Sequence, residues 1–219
     1  LPSDTSWNFT TVSEPAATLL SAHFDSGTDG FLYQDDTFLG TSQSGYAGGT
    51  YEPTGGHGGG GLHVTLGGVD NGDITGMSGG WTYALNLSSD VSGVMLSFRY
   101  RLQQSANYEY DEYSRMLVSV DGMLHGRGSK EYVDHVGGDG DGGIVKETGW
   151  LQHQVHLGAL TAGPHTLLLG GYANRKNASN ESTDIWIDDV VITIGNPSPT
   201  PSVARTIVDR LDINRFKSD

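Results

Sequence analysis

Apolar and polar residues alternate along several short segments of the chain. The clearest is Val94–Leu102, in which apolar side chains at positions 96, 98, 100 and 102 alternate with Ser97, Arg99 and Arg101. A period of two residues is typical of a β-strand with one buried face. The same reasoning predicts strands at Gly61–Gly67, Trp81–Leu87, Val94–Leu102, Arg115–Val120, Leu151–Leu157, His165–Leu169 and Asp184–Ile194.

The segments between these strands decide the fold class. They are rich in Gly, Asn and Asp, and no segment of the body carries a helical stripe of useful length. This pattern predicts an all-β fold, a β-sandwich of the jelly-roll type. We place the jelly-roll domain at residues 22–195, after an extended N-terminal arm at 1–21. A stiff Pro/Ser linker is expected at 196–202, followed by a C-terminal tail at 203–219.

Composition excludes several classes of protein. The 219 residues include no cysteine, which excludes disulfide scaffolds, zinc–thiolate sites and thiol catalysis. The formal net charge is -14, from 12 Lys and Arg against 26 Asp and Glu, and so acidic a chain repels nucleic-acid phosphate. Its 36% hydrophobic content is too high for a disordered acidic chain. The longest aliphatic run is too short for membrane insertion.

Four Asn-X-Ser/Thr sequons predict N-glycosylation, and hence a secreted, extracellular protein, at Asn8, Asn86, Asn177 and Asn180. A domain of this length can bury a core without disulfides, so the lack of cysteine is compatible with secretion. The chain starts at Leu1 without a signal peptide, as expected of a processed mature product.

Acidic residues in glycine-rich loops and at strand ends predict a structural calcium ion. Calcium takes about six to eight oxygen ligands, and glycine lets the backbone turn tightly enough to supply some of them. The candidate ligands are Asp25 in FDSGTDG, Glu109 and Asp111 in YEYDEY, Asp139 and Asp141 in GGDGDGG, and Asp188 and Asp189. The alternative for each is a solvated acidic loop that favours solubility.

The YEYDEY segment also holds candidate ligand-binding residues. Alternation places Tyr108 and Tyr110 on one face of this segment, where they could stack on a sugar ring. An ordered loop before the next strand fits the same residues. Other aromatic candidates for such a platform are Tyr113, Tyr132, Trp81, Trp150 and Trp186, although tryptophans in apolar strands are more often core residues.

No catalytic motif accompanies these residues. The chain contains neither HExxH nor GxSxG, and its Gly55–Gly61 run lacks the Lys-Ser/Thr ending of a phosphate loop. Because nothing supplies a nucleophile with an orienting base, we expect a protein that is not an enzyme. An extracellular hydrolase or lyase that uses Glu109 or Asp111 stays open as an alternative.

The C-terminal tail differs in charge from the body. It holds four basic and three acidic residues, about +1, which leaves about -15 on the rest of the chain. An extended segment can add a strand to a neighbour's sheet edge, and such a head-to-tail contact propagates into filaments. We therefore expect self-association through apolar residues of the tail, namely Val203, Ile207, Val208, Leu211, Ile213 and Phe216.

Several strings together resemble an accessory β-jelly-roll module of large secreted proteins. They include LGGVDNGDITGMSGGW, YEYDEYSRMLVSVDG and NASNESTDIWIDDVVI, and the module type is similar to concanavalin-like, MAM-like and carbohydrate-binding sandwich domains. The resemblance implies a structural calcium shared by Asp25 with Asp188 or Asp189, and a non-catalytic role. Separately, LDINRFKSD resembles the start of secreted two-zinc aminopeptidase domains, without their zinc ligands.

Two functions follow from these observations. The first, favoured because of the charge of the tail, is a non-catalytic secreted glycoprotein that assembles as a structural protomer through its terminal segments. The second, implied by the resemblance, is a carbohydrate-binding accessory module of a secreted hydrolase or peptidase.

Overall fold

The structure, a computed structural model, describes residues 17–140 and 142–195 as two packed β-sheets without a helix. Its thirteen strands are β1 (Ala17–Ala22), β2 (Leu32–Asp35), β3 (Ala47–Glu52), β4 (Gly61–Gly67), β5 (Ile74–Leu87), β6 (Val91–Gln104), β7 (Tyr113–Val120), β8 (Met123–Leu124), β9 (Asp134–Gly137), β10 (Lys146–Glu147), β11 (Leu151–Leu160), β12 (Gly163–Lys176) and β13 (Ser182–Ile194). The predicted all-β sandwich of the jelly-roll type is confirmed. Since these residues include no helix, none of their segments is a membrane-spanning helix.

All strand pairs are antiparallel. Sheet A has the order β3–β4–β13–β6. β1 pairs with β13 on the side where β4 also pairs with it, farther along the strand. β10 and β11 both pair with the free side of β6. Sheet B has the order β2–β5–β12–β7, with β8 and β9 at successive positions along β7. Each sheet has one face on the core and one face outwards.

The alternation in β6 builds the sheet A side of the core. Val94, Leu96, Phe98, Tyr100 and Leu102 are fully buried, while the residues that alternate with them are partly exposed. Sheet B contributes buried residues from its own central strands, including Met77, Met116, Val118, Leu167 and Leu169. The predicted period of two therefore fixes which face of each strand packs inwards.

Paired glycines on β5 and β12 let the backbones of these two strands approach each other closely at the centre of sheet B. Gly79 and Gly80 on β5 lie opposite Gly171 and Gly170 on β12. A Cβ atom added to Gly170 would lie 2.2 Å from the carbonyl oxygen of Gly79, which leaves no room for a side chain.

A bulge in β13 breaks its ladder at the Asp188–Asp189 pair. The register with β6 shifts between Asp188 and Val191, and Asp189 has a φ of 51°. Before the bulge β13 pairs with β4, and beyond it β13 pairs with β1. The bulge thus places two carboxylates where the sheet edge changes partner.

The predicted domain limits need one correction. Residues 17–21, assigned above to the N-terminal arm, belong to β1, and Leu20 and Ala22 are buried in the core. The sequence pattern missed this strand because it is short and its two leucines, Leu19 and Leu20, are adjacent and do not alternate with polar residues. Residues 1–16, the Pro/Ser linker at 196–202 and the tail with its six predicted assembly residues lie outside the described residues.

Candidate functional site

Tyrosine, arginine and histidine side chains gather on the outer face of sheet B, where β7 pairs with β9 and β12. The ladders place Arg115 opposite His135 on β9 and opposite Tyr172 on β12. Arg115 is partly exposed and the next residue is buried, as alternation along a strand requires. We use the name sheet B pocket for the group formed by Tyr113, Arg115, Lys130, Tyr132 and His135.

Arg115 is held between two tyrosine rings of this pocket. Its Cζ atom lies 4.4 Å from the centroid of the Tyr113 ring and 4.6 Å from that of Tyr132. Lys130 Nζ lies 5.1 Å from the same Tyr132 centroid. These are cation–π contacts, each worth roughly 0.5–1 kcal/mol at an exposed site. The guanidinium is therefore positioned before any ligand arrives.

The sheet B pocket is a basic patch on an acidic protein. Of the eight Lys and Arg residues in the described part of the chain, Arg99, Arg101, Lys146, Arg175 and Lys176 each have a carboxylate oxygen within 4.0 Å. The other three, Arg115, Arg127 and Lys130, have none among the described residues, and all three lie at or beside the pocket. Burial, followed by the charges of Arg115 and Lys130, lowers the pKa of His135.

An open cleft of about 330 Å³ lies beside Arg115. Its lining residues are Arg127, Lys130, Tyr132, Val133, Asp134 and His135. Asp134 Oδ2 accepts a 2.7 Å hydrogen bond from the Tyr100 hydroxyl, and that hydroxyl accepts a 3.1 Å hydrogen bond from Arg127 Nη2. The carboxylate in the cleft wall is therefore already bonded, whereas Lys130 faces the cleft without an acidic partner among the described residues.

A second, more apolar cleft of about 410 Å³ lies at the other end of the same face. Phe38, in the loop between β2 and β3, packs on the sheet and donates its N–H to Ser78 Oγ at 2.9 Å. Leu39, which is 52% exposed, stands at the rim. The cleft is lined by Thr37, Phe38, Leu39, Ser119, Gly122, Leu124, Thr166 and Leu168. The outer face of sheet B thus offers both apolar and basic contacts.

The two tyrosines predicted to bind a ligand are not part of this face. Tyr108 is 1% exposed, and its hydroxyl lies 3.1 Å from Thr183 Oγ1. Tyr110 is 84% exposed, but it lines neither cleft. The prediction for Tyr108 is wrong because residues 105–112 form a turn between β6 and β7, so that strand alternation does not apply.

Three of the predicted calcium ligands, Asp25, Asp188 and Asp189, line one cavity of about 190 Å³. Asp188 is 3% exposed, and its two oxygens accept the backbone N–H groups of His57 and Asp189, each at 2.7 Å. Burial raises the pKa of Asp188, the two backbone N–H groups oppose this, and the charges of Asp189 and Asp25 add to it. These three acids are the ones that the resemblance relates to one another, and they line the same cavity.

Asp25 and Asp188 are more available to a cation than Asp189 is. Neither has a basic side chain within 4.0 Å in the described part of the chain, whereas Asp189 contacts His23 Nδ1 at 2.7 Å and Arg99 Nε at 3.2 Å. Carboxylates beside a glycine loop are the oxygen ligands that calcium prefers. Calcium at this cavity remains a prediction.

The structure gives less support to metal binding by the two acids of the GGDGDGG loop, Asp139 and Asp141. Asp139 Oδ2 lies 3.5 Å from Lys146 Nζ, so a basic partner already faces it. Asp141 lies outside the described residues. The predicted metal ligation by this pair stays untested.

The acids of YEYDEY separate in the structure. The side chain of Asp111 is 74% exposed, with Oδ2 3.6 Å from Arg175 Nη1. Glu109 instead turns towards Glu112 of the same segment and towards Glu181, which the sequence analysis did not select. Glu181 lies far along the chain, so only the fold reveals this group.

A bonded network on the outer face of sheet A was also missed. His63 Nδ1 lies 2.8 Å from Glu52 Oε1, and His63 Nε2 lies 2.8 Å from Asp184 Oδ1. The Trp186 ring stacks on His63 with centroids 4.7 Å apart, its Nε1 donates to Glu52 at 3.0 Å, and Arg101 covers it. Because these groups bond to one another, we interpret the network as structural.

The sequons differ in accessibility. Asn86 and Asn180 are exposed, Asn177 is half-buried, and Asn8 lies outside the described residues. The backbone N–H of Asn177 donates to Glu181 Oε2, which ties this turn to the acidic group. Occupancy of the four sequons stays a prediction.

No protein family model and no curated protein matches this chain. Among solved structures, it is similar to the CBM22-1 xylan-binding domain of Paenibacillus barcinonensis Xyn10C, with 13% identity, a TM-score of 0.39 and coverage of 85% of this chain and 100% of that chain. It is also similar to TmCBM27, a carbohydrate-binding module described for mannan recognition, with 14% identity, a TM-score of 0.43 and coverage of 84% of this chain and 100% of that chain. A third similar structure is the K3 cleaved adhesin domain of Lys-gingipain from Porphyromonas gingivalis, with 15% identity, a TM-score of 0.37 and coverage of 82% of this chain and 100% of that chain. TM-scores below 0.5 leave the function to be argued from this chain's own residues.

Proposed function

We propose that this chain is a non-catalytic binding module that binds an acidic glycan at the sheet B pocket. One observation carries the proposal. Arg115, Arg127 and Lys130 are the three described Lys and Arg residues without a carboxylate partner. Arg127 and Lys130 line one open cleft with Tyr132 and His135, and Arg115 lies beside that cleft against the Tyr132 ring.

The chemistry of these groups suits a sugar acid. A planar guanidinium binds a carboxylate or sulfate through two parallel hydrogen bonds, and Arg115 is already oriented by Tyr113 and Tyr132. Tyrosine offers an apolar ring and a polar hydroxyl, which together suit the mixed surface of a sugar. An open cleft on a sheet face admits a polymer without enclosing its ends.

The other two functions have less support from the described residues. Glu109 and Asp111, the candidate general acid and base, line neither cleft of sheet B. Assembly through the tail rests on the charge and hydrophobicity of residues 203–219, and it stays a prediction from the sequence.

The experiment is isothermal titration calorimetry with oligosaccharides of matched length. An oligogalacturonate supplies carboxylates, a sulfated oligosaccharide supplies sulfates, and a xylo- or manno-oligosaccharide is neutral. We expect binding to at least one acidic ligand, and the comparison of the two acidic ligands identifies which anion is bound. Equal affinity for the neutral ligand would contradict the proposal.

The decisive variant is Arg115→Gln, with Arg101→Gln as its matched control. Arg101 also lies over an aromatic ring, that of Trp186, but on the other sheet and paired with Glu147. Hydrogen bonds to charged groups contribute roughly 1.5–3 kcal/mol, so R115Q should weaken binding about tenfold or more, whereas R101Q should leave it unchanged. Equal affinity of R115Q and wild type would overturn the assignment of the site.

A further inference from the structure

Three glutamates converge where two turns of the fold meet. Glu109 and Glu112 belong to the turn between β6 and β7, and Glu181 belongs to the turn between β12 and β13. One carboxylate oxygen from each residue lies within 4.8 Å of those from the other two. Glu112 and Glu181 are each 1% exposed, so two of the three carboxylates are buried.

Within residues 17–140 and 142–195, no basic side chain lies close enough to offset the burial of this group. The nearest pairing is a 3.9 Å separation between Arg175 Nε and Glu112 Oε1, while Arg175 itself forms a two-bond pair with Asp73 at 2.7 and 2.8 Å. Lys176, the next residue, is bonded to Asp70 and to backbone carbonyls. Taking several like charges out of water without a close counter-charge is strongly unfavourable.

Two buried oxygens of the cluster have no hydrogen-bond partner among the described residues. Glu112 Oε1 and Glu109 Oε2 are fully shielded from solvent and accept no hydrogen bond in the described structure. The other oxygen of Glu112 accepts the backbone N–H of Glu109 at 3.1 Å, and Glu181 Oε2 accepts those of Asn177 and Ala178. The backbone thus fixes two carboxylates and leaves buried oxygen atoms available in the cluster.

We propose that Glu109, Glu112 and Glu181 together bind a divalent cation, with Ca²⁺ as the best fit. All three donors are hard carboxylate oxygens, which calcium prefers, and no histidine of the described chain joins them as zinc would favour. Three carboxylates supply three to about six of the ligands, and backbone carbonyls or water complete the shell. This site is distinct from the cavity at Asp25 and Asp188.

The cation would connect the turn at Glu112 to the turn at Glu181. Glu112 directly precedes Tyr113 of the sheet B pocket, and the backbone N–H of Tyr113 is bonded to Asn174 Oδ1. A bound ion therefore stabilises the end of β7 that carries Tyr113 and Arg115. The inference concerns stability and metal content, and it holds whether or not the pocket binds a glycan.

A proton is the competing occupant. Burial, followed by the contact with Glu109, raises the pKa of Glu112 to about 8. A shared proton would remove one charge and would leave the cluster without affinity for metal. Glutamine at position 112 imitates that protonated acid, so E112Q distinguishes the two occupants.

The test is a calorimetric titration of CaCl₂ into the full chain after removal of metal with EDTA, run in parallel on E112Q, E109Q and D111N. E109Q is a second variant that changes a less buried member of the cluster, and D111N changes an exposed neighbour outside it. Each is also made with Asp25→Asn, to separate this site from the other predicted one. We expect E112Q and E109Q to lose one calcium equivalent or to bind it at least tenfold more weakly, while D111N binds as wild type.

Equal stoichiometry and affinity in wild type, E112Q and E109Q would overturn the proposal. So would an E112Q protein that melts at a higher temperature than wild type in EDTA while calcium stabilises neither, because a proton would then occupy the cluster.

Discussion

The guanidinium carbon of Arg115 lies 4.6 Å from the centre of the Tyr132 ring. Arg115 comes from β7, and Tyr132 comes from the loop that leads into β9, so the contact joins that loop to the outer face of sheet B. Lys130 approaches the same ring at 5.1 Å. Tyr132 therefore orients two of the three cations that we assign to ligand binding.

Replacing Tyr132 by leucine should weaken binding of an acidic oligosaccharide without abolishing it. The variant keeps an apolar side chain but removes the ring that orients Arg115. Loss of the two cation–π contacts with Arg115 and Lys130, each worth about 0.5–1 kcal/mol, corresponds to roughly a five- to thirtyfold lower affinity. Calorimetry measures the change, and Y110L is the control, since Tyr110 is 84% exposed and outside both clefts. If Y110L weakened binding more than Y132L, the turn at residues 108–111 would be the binding surface.

The contribution of His165 to stability should fall as pH rises. Its Nδ1 lies 2.7 Å from Asp121 Oδ2 and its Nε2 lies 2.7 Å from the Thr161 carbonyl oxygen. The bond to Thr161, followed by the bond to Asp121, raises the pKa of His165 above its ordinary value of 6.5. The stabilisation is complete below the unfolded pKa and is lost as pH rises through the higher folded pKa.

Urea unfolding of wild type and His165→Gln at pH 5.5 and pH 8.5 tests whether the stabilisation by His165 falls as pH rises. We expect the difference in the free energy of unfolding between the two proteins to be larger at pH 5.5. A difference that is the same at both pH values, or larger at pH 8.5, would show that the charged imidazole does not stabilise the fold.

Calcium should stabilise the chain through Asp25. In wild type, millimolar CaCl₂ is expected to raise the melting temperature relative to EDTA, because an ion that binds the folded state stabilises it by mass action. Asp25→Asn should reduce that increase, and D25N is expected to fold because Asp25 is exposed. Asp139→Asn is the control, since Asp139 already faces Lys146. An equal increase in wild type and D25N would exclude Asp25 as a ligand.

Alanine at Gly170 should destabilise the fold strongly. The added Cβ would lie 2.2 Å from the carbonyl oxygen of Gly79 and 2.5 Å from Gly80 Cα, and both are backbone atoms that cannot rotate away. Overpacking of this kind costs about 1–3 kcal/mol, measured as a lower free energy of unfolding in urea. Gly48→Ala in β3 is the matched control, because a Cβ there meets no atom within 4 Å. Comparable stability of the two variants would show that β5 and β12 can separate.

The strands were predictable from sequence where burial alternates. β4 begins and ends at the predicted residues Gly61 and Gly67, and the alternation in β6 predicts which side chains face the core. β5 starts at Ile74, seven residues before the predicted start at Trp81, because Gly79 and Gly80 interrupt the alternation. These two positions are glycine because β12 packs closely against them, and a local sequence pattern carries no information about that contact.

The functional groups were less predictable because they join distant parts of the chain. The sequence marks Tyr113 and Tyr132 only as two of several aromatic residues, and no motif marks Arg115, which the ladder with β9 places beside His135. Glu181 meets Glu112 through the pairing of strands that the sequence does not specify. The proximity of Asp25 and Asp188 was predicted from the resemblance to jelly-roll modules and not from a local pattern. In the structure the two residues line the same cavity.

The most direct test of the binding surface is a ¹H–¹⁵N NMR titration of the whole chain with the oligosaccharide that binds best. The account predicts that the largest shift changes fall at the amides of residues 113–115 and 130–135, on the outer face of sheet B. It also predicts that the amides around His63 and Trp186, on the outer face of sheet A, stay unchanged. Shift changes centred on His63 and Trp186 instead, with none near Arg115, would contradict it.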